Sequence, residues 1–235
     1  PKRRGVDSAQ MIWGNSVAIL TGDLIFSRAS LLVSELGTRP MKIQSQAFER
    51  LVLGQLFETT GPREGQDLLD HYIAVIEGKT GSLIAAAGEY GSLLSGASED
   101  VISMVKAYGE LVGVAFQLAD DVIDIVSDGK TSGKTRGTDL REGVPTLPTI
   151  LLNRAAEAGD ESARQVQTLI EADLSSDDAL AAAVSALAAH PVTQEAWQIA
   201  YDWADRAIAA IAPLPESTAK AALESFAHAV VHREG

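Results

Sequence analysis

The 235-residue chain contains no cysteine. That excludes disulfides, zinc–thiolate sites and a cysteine nucleophile. It is compatible with a reducing compartment, and a cytoplasmic location is the expectation. Aromatic residues are scarce, at 5% against 46% hydrophobic residues overall, and the apolar share is mainly Ala, Leu, Ile and Val. That balance suits a helical protein better than a β-sandwich. Positive charge is also short: 19 Lys and Arg face 32 Asp and Glu, for a formal net charge of -13. Nonspecific nucleic-acid binding and charge-driven docking on anionic lipid are therefore excluded as expectations. No Gly-x-Gly-x-x-Gly, Gly-x-Ser-x-Gly or Walker pattern occurs, and His71, His190, His228 and His232 are scattered without metal-like spacing. No apolar stretch reaches the length of a membrane span, and no signal-peptide pattern is seen. The chain begins at Pro1 rather than Met, so a fragment or processed chain is expected.

What is present is helical periodicity nearly throughout. Helices are expected over about 8–36, 41–60, 64–78, 82–96 and 98–126, with Gly37 and Gly61-Pro62 as stops and Ser98 as a cap. Gly78 and Gly81 flank Lys79-Thr80 and mark a kink. The polar, glycine-rich stretch from Ser127 to Asp139 reads as a long ordered loop. Further helices are expected over about 145–157, 160–173, 177–189, 192–211 and 216–231. No repeat, low-complexity linker or strand-like alternation interrupts them, so residues 1–235 read as a single all-α domain.

The chemistry concentrates in Phe116-Gln-Leu-Ala-Asp-Asp-Val-Ile-Asp124, where three carboxylates sit inside an apolar helical run. Asp120 and Asp124 are four apart and share a helical face with Asp121 beside them, and Gln117 lies one turn earlier. Crowded carboxylates repel, and burying them unpaired is costly. Carboxylates without His or Cys suit Mg2+, which completes its shell with water and substrate phosphate. The alternative is a solvated polar face, but this helix is too apolar around its circumference to be mostly exposed. Lys130, Lys134 and Arg136, spaced by small residues, offer cations and approachable backbone amides to an anion. Taken alone that loop is an ordinary solvated one; with the aspartates it forms the second half of a diphosphate clamp. Arg3-Arg4 and Lys79-Thr80 are further cation-bearing pairs, weak individually.

Together these segments resemble the trans-isoprenyl diphosphate synthases, or polyprenyl synthetases. Phe116–Asp124 is similar to the family's second aspartate-rich motif. Gly133-Lys134, Gly137-Thr-Asp-Leu-Arg-Glu-Gly143 and Thr146-Leu-Pro148 resemble the segment after it. Gly78-Lys79-Thr80, Gly22-Asp-Leu24, Gly54-Gln55, Arg3-Arg-Gly5 and Val230-Val-His-Arg233 match further positions, so the resemblance covers the whole chain. It implies an isoprenoid-synthase-type bundle of long antiparallel helices around a central cavity. It also implies condensation of isopentenyl diphosphate with an allylic diphosphate to give a longer all-trans prenyl diphosphate. By position, Asp120, Asp121 and Asp124 would bind Mg2+, and Lys79 and Lys134 would hold the departing diphosphate. Thr80 and Gln117 would line the reacting carbons, Arg3 would contact the allylic diphosphate and Arg4 that of isopentenyl diphosphate. Homodimerisation is expected on the same ground.

The chain departs from the family in two ways. The first aspartate-rich motif, upstream of Arg-Arg-Gly in the family, is absent, so the domain is expected to be N-terminally incomplete. Val144 stands where many members carry Lys, removing one expected diphosphate contact. The rival readings are a non-catalytic subunit of a heteromeric synthase and a terpene cyclase. The intact Asp120-Asp121-Asp124 with Gln117 and Lys134 disfavours the first, and the Asp-only motif the second.

Overall fold

A computed structural model describes residues 2–3, 6–127 and 136–232, the first two by backbone alone. A short antiparallel pair, β1 (Lys2–Arg3) and β2 (Val6–Asp7), precedes the helices. Two-residue strands are too short to show alternation, which is why none was expected from the sequence. Twelve helices follow among the described residues: α1 (Ala9–Trp13), α2 (Asn15–Ser34), α3 (Thr38–Thr60), α4 (Leu68–Ile76), α5 (Ser82–Leu94), α6 (Glu99–Val126), α7 (Thr138–Glu142), α8 (Leu147–Glu157), α9 (Glu161–Ile170), α10 (Asp177–Ala189), α11 (Pro191–Ile211) and α12 (Thr218–His232). The all-α bundle inferred from the sequence is the observed fold.

Two differences from the expected boundaries have local causes. The first expected helix is broken at Gly14, whose φ of 81° is open to glycine and strained for other residues. The third begins later, at Leu68, where the Asp67 carboxylate accepts the Asp70 amide as an N-cap. At the fifth, Ser98 caps α6 as read, accepting the Val101 amide. At the end of the expected loop, α7 starts at Thr138 and runs between Gly137 and Gly143, both left-handed. Residues 128–135 of that loop lie outside the described residues.

The bundle is organised around α6. Val112, Val114, Ala115, Leu118, Ala119 and Val122 are fully buried and Ile125 nearly so, which leaves this helix apolar on almost every side. Helix α11 lies along it through Ala196, Ala200, Ala204, Ala207 and Ile211, a stripe of mostly alanines that lets two backbones approach. On the other flank α5 runs antiparallel to α6: Gly81 meets Gly113, Ala85 meets Gly109 and Gly88 meets Val105. A Cβ on Gly113 would stand 2.7 Å from the Gly81 Cα, so these helices touch backbone to backbone. Helix α3 closes on the α4–α5 rod in the same way, where a Cβ on Gly78 would lie 3.0 Å from the Gly54 Cα.

Not all apolar surface is enclosed. Trp13, Leu20, Leu24 and Ile25 are each more than 60% exposed, and α2 has no buried residue. The expectation that no stretch reaches membrane-span length was too strict. By length and hydropathy alone α2 and α6 both qualify, although α6 is the core helix of this bundle.

The backbone contacts give a test with two signs. Gly113→Ala should destabilise by about 1–3 kcal/mol through overpacking, seen as a fall in Tm of roughly 3–10 °C. Gly91→Ala, where an added Cβ meets nothing within 4 Å, should instead stabilise by about 0.5–1 kcal/mol. Thermal denaturation of both variants checks the pair; equal shifts would contradict the packing described.

Candidate active site

The expected kink at Gly78–Gly81 is a π-turn, Glu77–Gly81, set between α4 and α5 in one continuous rod. A π-turn widens the helix by one residue and re-aims the side chains it carries. Gly78 is pressed against the Arg50 carbonyl and Gly54 of α3. The turn is thereby locked with Lys79 and Thr80 facing a cavity of about 260 Å³.

The polar wall of that cavity includes Glu58, His71, Tyr72, Lys79, Thr80, Gln117, Asp121, Asp139 and Thr146; Pro62, Leu68, Val75, Ile76 and Val144 supply apolar surface. Lys79 Nζ lies 2.5 Å from Glu58 Oε2, and Gln55 Nε2 donates to the same oxygen at 2.7 Å. Across the cavity the Thr80 hydroxyl donates to Gln117 Oε1 at 3.1 Å, and Gln117 Nε2 donates to Asp121 Oδ1 at 3.2 Å. Asp121 is 5% exposed. Its other oxygen accepts the Tyr72 hydroxyl and, at 3.4 Å, the Leu147 amide. Leu147 is the first residue of α8, so the positive end of that helix also faces the carboxylate.

Burial pushes the Asp121 carboxyl up to about 7, against the downward pull of Tyr72, Gln117 and the Leu147 amide; the charge of Asp139 raises it further. Burial, then the Asp121 charge, drives the Tyr72 phenol well above its usual range. Asp120 and Asp124 lie half-buried on the same helix. Asp124 ties the returning chain to the end of α6: its Oδ2 accepts the Asp139 amide at 3.3 Å and its carbonyl the Gly137 amide at 3.0 Å.

Lys79, Thr80, Gln117 and Asp121 thus line one cavity, with Asp120 and Asp124 on the same helix. Arg3 lies in β1 and is described by backbone only; Arg4, Lys130 and Lys134 fall outside the described residues. Val144 borders the cavity as an apolar side chain at the position where Lys was the family's expectation. Sequence reasoning missed Glu58 and Tyr72. Glu58 carried a faint signal, three residues after Gln55 on one helical face. The only signal at Tyr72 is a polar-tipped aromatic in an apolar segment, two turns before Lys79.

The α6 triad, Asp120, Asp121 and Asp124, offers carboxylate oxygens alone, a donor set that fits a hard divalent cation. Among the described residues no three carboxylate, His or Cys side chains converge as a ready-made cage. Such a site suits an ion that takes a few carboxylates and leaves the remaining positions to water and substrate oxygens.

A cation, a hydroxyl–amide pair and a carboxylate around one part-apolar cavity suit a substrate with an anionic head and an apolar tail. The polyprenyl synthetase family model matches residues 1–187, and the chain belongs to that family, the trans-isoprenyl diphosphate synthases. It is 40% identical to a nonaprenyl diphosphate synthase of Mycobacterium tuberculosis over 99% of this chain and 69% of the relative. It is 33% identical to the octaprenyl diphosphate synthase of Escherichia coli over 99% of this chain and 71% of the relative. Among solved structures, a geranylgeranyl pyrophosphate synthase from Corynebacterium glutamicum, complexed with calcium and isoprenyl diphosphate, superposes with a TM-score of 0.84 at 39% identity. That match covers 97% of this chain and 70% of that one.

The elevated Asp121 carboxyl has a measurable signature. Its folded value, about 7, lies above the ordinary 3.8. Its contribution to stability is therefore fully present below pH 4 and is lost as pH rises through 7. In the presence of a metal chelator, the Tm of Asp121→Asn should gain on that of the wild type as pH rises across this window. A gap that stays constant from pH 4 to pH 8 would contradict the assignment.

Proposed function

We propose that the chain condenses isopentenyl diphosphate with an allylic diphosphate, giving a linear all-trans prenyl diphosphate longer by one five-carbon unit per cycle. The observation that carries this reading is the meeting of Lys79, Thr80, Gln117 and Asp121 at one cavity with apolar walls. The relatives named above are synthases of such products, and they lend no support to a non-catalytic subunit or a cyclase.

Asp120, Asp121 and Asp124 would hold Mg2+, a choice supported by the carboxylate-only α6 triad and by calcium in the Corynebacterium enzyme. When bound, the ion supplies charge stabilisation to a departing diphosphate. Lys79 exchanges Glu58 for a diphosphate oxygen and holds the charge that develops as the allylic C–O bond breaks. Lys134, Arg3 and Arg4 are assigned by motif position to the two diphosphates. Thr80 and Gln117 present oxygen atoms to the electron-poor carbons. Leu68, Val75, Ile76 and Val144 keep water from the allylic cation. The isopentenyl double bond then attacks, and loss of a proton completes the cycle.

The exposed apolar surface of α1, α2 and α3 supports a homodimer, because a face of this extent is the kind that oligomers bury. We place the enzyme in the cytoplasm, with which the absence of cysteine is compatible.

In the full-length protein, labelled isopentenyl diphosphate with an allylic primer and Mg2+ should yield a longer prenyl diphosphate. Asp120→Ala should lower turnover on the order of a hundred-fold or more while the helical circular dichroism stays intact. Near-normal turnover in that variant would remove Asp120 from the site, and no elongated product from the wild type would favour a non-catalytic role.

A further inference from the structure

Tyr72, Asp121, Gln117 and Thr80 form a chain of three hydrogen bonds whose two ends stand on one helical rod and whose middle stands on another. Tyr72 and Thr80 stand on the α4–π-turn rod, and Gln117 and Asp121 stand one turn apart on α6. The three hydrogen bonds have a fixed direction. The Tyr72 hydroxyl donates to one Asp121 oxygen and Gln117 Nε2 to the other. That leaves Gln117 Oε1 facing Thr80, whose hydroxyl hydrogen is spent on it. The Thr80 oxygen is then free to turn lone pairs, not a hydrogen, towards the cavity.

We propose that Tyr72 is a positioning residue that, through Asp121, sets the polarity of the Gln117–Thr80 pair so that its negative end faces the allylic cation. Resting on the prenyl-transfer reading, this extends it to a residue that acts only through others. An allylic cation forms beside the pair only in the transition state, so the benefit belongs to kcat rather than to substrate binding. A hydroxyl turned the other way would direct its hydrogen at the cation and oppose its formation. Tyr72 is suited to the task because it is buried and belongs to the same rod as Thr80, two turns away. Its bond to Asp121 also fixes the register of that rod against α6. The Leu147 amide, at the start of α8, supplies Asp121 with a further donor.

The test is a double-variant cycle in the full-length enzyme at saturating Mg2+. Tyr72→Phe should lower kcat about ten-fold, with KM for both diphosphates within about two-fold of wild type. Thr80→Val should lower kcat as well. The double variant should be no more than about two-fold slower than Thr80→Val, because both act through one oxygen. A purely structural role for Tyr72 would make the two losses multiply, and wild-type kcat in Tyr72→Phe would likewise overturn the proposal.

Should Tyr72→Phe melt below the assay temperature, all four enzymes of the cycle are compared at a temperature below its melting point, with the same outcomes expected and multiplying losses again overturning the proposal. A wild-type enzyme that elongates no primer would overturn the prenyl-transfer reading and this inference with it. Activity in the wild type equalled by Tyr72→Phe would overturn this inference alone.

Discussion

Burying the Asp121 carboxylate is the constraint on which the site depends. A charge inside a helical bundle is tolerated only where donors converge on it. Here they come from three separate elements: the Tyr72 hydroxyl on α4, the Gln117 amide on α6 and the Leu147 amide at the start of α8. The cost of leaving that oxygen pair unmet fixes how these helices sit together. The same arrangement brings Thr80, and next to it Lys79, to the wall of the cavity. Structure and chemistry share one set of hydrogen bonds.

The second requirement is close approach. Lys79 and Thr80 reach the cavity because the π-turn can press against α3 and α6 without side chains in the way. Gly54 against Gly78 and Gly113 against Gly81 make that possible. Lys79 rests on Glu58 in a half-exposed ion pair, whereas Thr80 and Gln117 are bonded to each other and, through Gln117, to buried Asp121. In the proposed mechanism these two modes of support separate the cation that follows the departing anion from the dipole that stays in place.

Much of this was legible in the order of residues. The four-residue spacing of Asp120 and Asp124, with Gln117 one turn earlier, reports a single helical face without any tertiary information. Glycines on both sides of Lys79-Thr80 announced a local break, and that break is the π-turn. What could not be read was contact across elements. Tyr72 lies 49 residues from its partner Asp121, and Glu58 lies 21 from Lys79. Neither has a local pattern that distinguishes it from an ordinary helix residue. The crowding of three carboxylates suggested a positive partner, yet Asp121 is met by neutral donors, a buried hydroxyl and two amides, which only partly offset its burial. Similarly, α7 was hidden at the end of a glycine-rich stretch, since the left-handed Gly137 and Gly143 that bound it look in sequence like loop residues.

The central claim is that carboxylates on α6 and Lys79 bind one diphosphate between them through a divalent ion. Titration of the full-length protein with inorganic diphosphate, by calorimetry with Mg2+ and again with a chelator, tests it most directly. Binding should be strong with Mg2+ and at least ten-fold weaker without it, since the carboxylates repel a bare anion. Equal affinity in the two titrations would contradict the account.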